Sequence, residues 1–348
     1  RIPSLSDSVA TAGIALRKDL VDRYSVDVSR IRSLADLGAV FDHIHQYEPD
    51  LKMVSPYLTR SSVLARFQLK DALPSSVCDL SPEDPKQIVN YYATASYRET
   101  VEIIRRWYEK GYLPDHMALQ SLRASQLVGA GELFSYFCAY RPSVNHEESL
   151  SCGTEMVTVS LTEPLVTRLS LERAPWCVSA TCANPGKAVQ FLNLLYTDSE
   201  LVNLLLYGIE GVHYALQPDG TIDYPEGVTA KTVGYQNTLG WLLPNQTLSH
   251  VFRGNSPRLW DELLTFNESS PVSGALDFIF DDGPVAAENE RLNEIASTYA
   301  YGLETGQLDP KVYLPRMLAE MEAAGAARVI GEAQAQFDRF TKERNASP

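Results

Sequence analysis

Short apolar runs alternate with amphipathic stretches along most of the chain. Gly13–Leu16 reads as a strand that runs straight into a helix. Ser33 and Asp36 make a capping-box-like start, S-x-x-D, for a helix with Leu37, Val40, Phe41 and Ile44 on its apolar face. A short strand follows at Lys52–Pro56. Ser96 with Glu99 opens a second helix, buried along Val101, Ile104, Trp107 and Tyr108 and closed by Gly111. Strand-like runs recur at Leu133–Cys138, at 155–162, where apolar and polar residues alternate, and at Trp176–Ala180. Asn184-Pro185 caps a helix, Thr197 with Glu200 caps the next, and Gly208 ends it. Tyr214–Asp223 carries Pro-Asp-Gly and predicts a hairpin. Beyond Ser256 the pattern is helical, over 256–266, 286–303, 310–323 (started by Asp309-Pro310, ended by Gly325) and 327–342, and these helices are expected to pack as one C-terminal group. Strands mixed with capped helices predict α/β layers, with helices dominant.

At 348 residues the chain has room for two lobes or two domains. A net charge of −14 argues against a nucleic-acid or anionic-membrane surface. The longest apolar cluster, Phe191–Leu206, is interrupted by Asn193, Asp198, Glu200 and Asn203, so no stretch has the roughly 20 apolar residues of a membrane span. The cysteines, Cys78, Cys138, Cys152, Cys177 and Cys182, are odd in number and lack a C-x-x-C pair; a Cys177–Cys182 bridge stands as an alternative to the plainer reading, buried free thiols. His43 and His45 stand two apart, so a helix points them to different faces, and no metal site is expected. No nucleophile elbow, phosphate-binding loop, dinucleotide fingerprint or H-E-x-x-H occurs, and no cofactor is expected. Glu147-Glu148 and Asp281-Asp282 read as solvated faces or turns, although the carboxylate pair of a glycosidase can come from anywhere in a sequence. Tyrosine outnumbers phenylalanine, 18 to 11, and a flat apolar face with a polar tip suits the C–H faces and hydroxyls of a sugar.

The run Asn184–Tyr214, N-P-G-K-A-V-Q-F-L-N-L-L-Y-T-D-S-E-L-V-N-L-L-L-Y-G-I-E-G-V-H-Y, resembles the solute-binding lipoproteins of carbohydrate ABC transporters, within the broad extracellular family 1. Phe278–Val285 (F-I-F-D-D-G-P-V), Gly302–Pro310 (G-L-E-T-G-Q-L-D-P) and Ala323–Phe340 resemble the C-terminal domain of unknown function found in the LipO-like branch. Arg17-Lys18-Asp19-Leu20 and the V-D-V-S-x-I-x-S-L-x-D-L stretch after it resemble the segment beyond the first hinge crossing. The likeness covers nearly the whole chain. Residues 1–20 read as mid-domain sequence with no signal peptide, so the chain is expected to lack its natural start, which in such proteins carries a signal peptide and a lipid-modified cysteine.

The resemblance implies a helix-rich α/β protein of the two-lobe periplasmic-binding-protein type II fold, its N-terminal lobe incomplete in this chain. It implies that 1–170 form the C-terminal lobe, 171–245 the remainder of the N-terminal lobe, and 246–348 a helical region packing on the C-terminal lobe. The helix 186–196 is then expected to leave part of its apolar face (Val189, Leu192, Leu195) uncovered. The implied function is a binding protein rather than an enzyme, closing on a sugar or oligosaccharide between its lobes for delivery to permease subunits. It would be monomeric, cell-surface or periplasmic, and tied to the membrane only through lipid. Two alternatives stand beside it: the same fold used for carbohydrate sensing or adhesion without transport, and a glycoside-active enzyme. Candidate ligand contacts are polar aromatics and amides near the crossings: Tyr140, Trp176, Tyr235, Asn237 and Trp241, the last three expected to form a stacking wall.

Overall fold

This computed structural model describes residues 2, 4–5, 8–9, 11–55, 77–81, 84–114, 123–171, 175–230, 232–237 and 239–346. Pro56, at the end of the expected second strand, lies outside them. In chain order the elements are β1 (Thr11–Arg17), α1 (Lys18–Arg23), α2 (Leu34–His45), β2 (Lys52–Ser55), β3 (Cys78–Leu80), β4 (Ile88–Asn90), α3 (Ala95–Glu109), α4 (Ala124–Gly129), β5 (Leu133–Tyr140), α5 (Val144–Cys152) and β6 (Met156–Ser160). There follow α6 (Pro185–Thr197), α7 (Ser199–Tyr207), β7 (Ala215–Leu216), β8 (Ile222–Asp223), α8 (Leu259–Ser269), α9 (Ala286–Glu304), α10 (Pro310–Ala323) and α11 (Ala326–Ala346).

The chain divides into two compact units. Unit I comprises Arg1–Ala10, Arg141–His146 and Leu169–Pro271; unit II comprises Thr11–Tyr140, Glu147–Arg168 and Val272–Pro348. The helix 259–269 therefore belongs to unit I, and only the last three helices form the expected C-terminal group, in unit II.

Unit II is built on a sheet of order β2-β5-β1-β6. β1 runs antiparallel to both neighbours, and β2 runs parallel to β5. β1 and β5 are each buried through their first six residues, so neither shows the alternation of a strand with one wet face. Phe41 of α2 meets Trp107 of α3 and Phe134 of β5 edge-on, at 5.1 and 6.3 Å between centroids. The Ser33 side chain accepts from Asp36 N–H as the sequence predicts, and Asp36 answers by accepting from Arg32 N–H. α3 starts earlier than the S-x-x-E reading: Thr94 is the residue still in extended backbone, and its hydroxyl accepts from Tyr97 N–H. Tyr108, expected in the buried stripe of α3, is 45% exposed; Arg105 lies over its ring, and its Cβ closes against Gly306 instead. The last three helices present Leu292 and Ala296, Leu314, Met317 and Met321, and Ala326, Val329, Ala333 and Phe337 to the common core, a three-to-four-residue spacing.

Unit I is smaller. Asn184 caps α6 through Lys187 N–H, with Pro185 in the first turn. Asp198, one residue beyond the expected Thr197, caps α7 through Leu201 N–H. Of the face Val189, Leu192, Leu195, the last two are buried at 6% and 1% exposure, whereas Val189 is 52% exposed, as are Phe191, Leu194 and Leu204 to similar degrees. β7 and β8 form the expected hairpin, its turn held by Asp219 accepting from Thr221 N–H and Oγ1–H. The expected strand at Trp176–Ala180 reduces to one backbone bridge, Trp176 with Ile2. The 177–183 segment instead bends, with Cys182 N–H donating to Ser179 carbonyl.

Candidate functional site

The candidate contacts divide between the units. Tyr140 ends β5 in unit II, paired with Thr11 and half-buried. The other four lie in unit I, and the polar atoms the structure resolves for three of them serve the unit itself. Trp176 Nε1–H donates to Leu242 carbonyl at 2.7 Å, which ties the Ile2 bridge to the turn Gly240–Leu242 that holds Trp241. Tyr235 hydroxyl donates to Leu205 carbonyl at 2.6 Å. Asn237 N–H donates to Leu206 carbonyl at 2.7 Å, and its side-chain oxygen accepts from Leu239 N–H. Tyr235 and Asn237 are thus strapped to the C-terminal end of α7. The tie is close because Gly208, at φ 80°, ends that helix where a Cβ would meet His213 Nδ1 at 2.7 Å and Tyr235 Cδ1 at 3.0 Å. Trp241 is half-buried.

The same unit holds a cluster of rings that composition alone did not locate. The 251–253 segment runs beside β8: Ile222 N–H donates to Val251 carbonyl and Arg253 N–H to Ile222 carbonyl. This register sets Phe252 against Tyr224, 5.0 Å between centroids and tilted by 60°. His146 stacks on Phe252 at 6.3 Å and Tyr207 approaches it at 6.3 Å. Gly254, at φ 99°, lets the chain close over His146, whose ring a Cβ there would meet at 2.5 Å. Tyr224 hydroxyl donates to Gln236 Oε1 at 2.6 Å. Burial raises the Tyr224 hydroxyl pKa, with the Gln236 bond opposing it. Burial lowers the His250 pKa against the pull of Glu210, which favours the neutral ring beside Tyr214. The sequence signal for this site was the aromatic at each end of two short backbone pairings, Asp223-Tyr224 and Phe252-Arg253, which is too brief a pattern to distinguish from loop packing.

A cavity of about 890 Å³ lies wholly in unit II, and none of the five candidates lines it. It opens between the starts of α2 and α3, the β3–β4 pair and the last turns of α11, with Leu80, Ile103, Leu161 and Phe337 on its walls and Arg32 and Arg344 at its rim. Its lining includes Asp79 and Glu99, with no histidine or cysteine among the described residues. Of the adjacent acids, Glu148 accepts from Tyr136 hydroxyl, and Asp282 accepts from Asn289. His43 sits against Tyr24 and Tyr47 and His45 against Tyr112, so the helix separates them as its geometry requires. Among the described residues no group of His, Cys, Asp and Glu could hold a metal ion. Cys78, Cys138 and Cys152 are buried, but Cys177 is exposed and Cys182 partly so, because the bend that replaces the expected strand carries them outward.

Residues 274–342 match a family described as a domain of unknown function, DUF3502. A carbohydrate ABC transporter substrate-binding protein of Streptococcus pneumoniae serotype 4 (strain ATCC BAA-334 / TIGR4) is 22% identical over 351 residues, which take in 99% of this chain and 70% of that protein. The crystal structure of the N-glycan transport solute binding protein NgtS from Streptococcus pneumoniae superposes with a TM-score of 0.82 at 21% identity, over 98% of this chain and 75% of that one. The fold is that of a two-lobe solute-binding protein. The same NgtS in complex with Man5GlcNAc gives a TM-score of 0.80 at 21% identity, again over 98% of this chain and 75% of that one. The alginate-binding protein AlgQ2 shares the fold more loosely, at a TM-score of 0.57 and 13% identity over 97% of this chain and 74% of that one. The C-terminal motifs that suggested a domain of unknown function, Phe278–Val285 and Gly302–Pro310, fall inside the matched residues. Among the described residues no helix is long and apolar enough to cross a membrane.

Proposed function

We propose that this protein is the extracytoplasmic substrate-binding component of an ABC importer, which captures a sugar or oligosaccharide and delivers it to the permease subunits without chemically changing it. The observation that carries the reading is the likeness over 98% of the chain to a glycan-transport solute binding protein, crystallised also with Man1GlcNAc and Man5GlcNAc. A two-lobe fold is suited to this work because a ligand that contacts both lobes favours the closed form, and a transporter can read that form. On this reading the protein acts as a monomer outside the cytoplasmic membrane, held there by lipid, with unit II as the C-terminal lobe and unit I in the N-terminal lobe. Trp176 and Trp241, with Tyr140, Tyr235 and Asn237, are the proposed ligand contacts, the two indoles offering ring faces and the others polar edges.

The test is a thermal-shift screen of the full chain against neutral and acidic mono- and oligosaccharides. A ligand that binds only the folded protein raises its midpoint in proportion to RT ln(1 + [L]/Kd), about 2.7 kcal/mol at a hundredfold excess over Kd. A shift with one class of glycan supports the reading, and turnover of that glycan during prolonged incubation would replace it with the enzymatic one. No shift with any sugar would overturn it.

A further inference from the structure

We propose that Phe252, Tyr224 and Gln236 form a subsite for one neutral hexopyranose ring, with the Phe252 ring as its floor, Tyr224 tilted beside it and the Gln236 amide as its hydrogen-bonding edge; this rests on the sugar-binding reading above. One apolar cluster of unit I is Val202, Leu206 and Leu243, with Tyr207 and Leu248 against it, and Phe252 lies outside it. Its neighbours are instead three rings that carry polar atoms, Tyr224, Tyr207 and His146, and it remains half-buried. Such a surface, apolar in its faces and polar at its edges, matches the C–H face and hydroxyl rim of a pyranose.

The loop that follows α7 supplies the polar edge. Tyr235 and Asn237 both fasten to the carbonyls of α7, at Leu205 and Leu206, and the residue between them reaches Tyr224. Gln236 Oε1 is taken by the Tyr224 hydroxyl, which fixes the plane of the amide. Its Nε2 has no protein partner among the described residues, and the Tyr224 oxygen, having donated, still accepts. A sugar hydroxyl both donates and accepts, so this fixed donor and this fixed acceptor together suit one hydroxyl on a ring seated over Phe252. Because both groups are held before binding, little side-chain freedom is lost when the sugar arrives. Arg253, the residue after Phe252, is paired with Asp223 at 3.0 Å, so its charge is already met within the protein. The favoured class is a neutral hexose, or the N-acetylhexosamine in which an amide carbonyl takes the place of a hydroxyl oxygen.

Isothermal titration of the full chain with mannose, glucose, galactose, N-acetylglucosamine, Man1GlcNAc and Man5GlcNAc, alongside glucuronate, tests this. The expected result is binding of a neutral sugar but not of glucuronate. Phe252→Leu should weaken that binding tenfold or more, about the loss seen when a stacking ring is removed. Gln236→Glu keeps the acceptor for Tyr224 but removes the amide donor, and should weaken it by roughly three- to tenfold with an unchanged melting temperature. A purely structural role would lower the melting temperature of Phe252→Leu and leave the Gln236→Glu affinity alone. If the wild-type chain binds a neutral sugar and Gln236→Glu binds it within twofold, the subsite is overturned while the sugar-binding reading stands. If the wild-type chain binds no sugar, both fall.

Discussion

Tyr140 sets its Cβ directly over the bare α-carbon of Gly13: a methyl group on Gly13 would lie 2.6 Å from Tyr140 Cβ and 2.8 Å from Val159 carbonyl oxygen. Gly13 sits in β1, the strand bonded on both sides, by β5 and β6, so neither neighbour can move without loosening a ladder. Gly13→Ala should therefore lower unfolding free energy by about 1–3 kcal/mol, the ordinary cost of overpacking. The check is a urea melt followed by far-UV circular dichroism. A midpoint equal to wild type would show that Tyr140 swings away freely and is not set by the strand beneath it.

Acid should weaken the link between α2 and α3 in a way that one substitution isolates. Burial pushes the Asp42 carboxyl pKa up, but hydrogen bonds from Lys110 and Tyr112 outweigh it and hold the group below its ordinary value. A folded-state pKa below the unfolded one stabilises the protein above the unfolded pKa, and that contribution is lost as pH falls through the folded value. The difference in urea midpoint between wild type and Asp42→Asn should be widest near neutrality and should close below about pH 4, where a free aspartate protonates. Because Asp42 is 45% exposed, the difference will be small and will shrink with added salt. A gap that stays constant from neutral pH into acid would mean the pair contributes no charge-dependent stability.

Much of this architecture is legible in the sequence because caps and periodicity are local. Ser33, Asn184 and Asp309 cap the helices assigned to them, and the stripe from Ala326 to Phe337 requires only counting. Where the reading slipped, two local candidates stood close together, as with Thr94 and Ser96, or Asp198 and Thr197, and backbone conformation at one of them decided. Helix α8 was the larger miss. Its pattern marks a helix but carries no sign of which unit it joins, which depends on where the chain crosses, at Pro271, with Ser273 N–H then donating to Val166 carbonyl. The ring cluster around Phe252 was hidden for the same reason. Residues 146, 207, 224 and 252 are distant in sequence, and no periodicity joins them.

Thiol chemistry should separate the cysteines sharply. Cys177 is exposed, whereas Cys152 is buried beside Tyr136 hydroxyl at 3.2 Å. Burial pushes the Cys152 thiol up to about 11, against the bond from Tyr136 and with the help of Glu148. At pH 8 roughly one Cys152 in a thousand is then thiolate, and a buried thiolate is further shielded from reagent. Brief iodoacetamide treatment followed by peptide mass spectrometry should show Cys177 modified first, Cys182 more slowly, and Cys78, Cys138 and Cys152 only after denaturation. Early labelling of Cys152 would mean that the β5–α5 contact opens in the native protein.

Trp241 and Trp176 should respond differently to substitution, and the difference bears on the proposed sugar contacts. Trp176 is committed through its Nε1–H to Leu242 carbonyl, and the same residue bridges to Ile2. Trp176→Phe keeps a ring and removes the donor, so it should cost about 0.5–1.5 kcal/mol of stability, the net worth of one hydrogen bond, plus the desolvation of a carbonyl left without its partner. Trp241 lies one residue before that carbonyl, in a turn whose tightness depends on Gly240, where a Cβ would meet Gln246 Nε2 at 2.9 Å. Anchoring Trp176 to Leu242 thus holds the Trp241 backbone in place whatever its own ring does. If that ring is a sugar platform, Trp241→Ala should weaken binding by about 1–3 kcal/mol, roughly 5- to 150-fold, with a small change in melting temperature. If it fills the base of unit I, the same change should cost roughly 3–5 kcal/mol of stability. Titration with the glycan that gives the largest thermal shift, run beside a melt of Trp241→Ala and Trp176→Phe, decides between them. Unchanged affinity with a large fall in melting temperature for Trp241→Ala would remove Trp241 from the site.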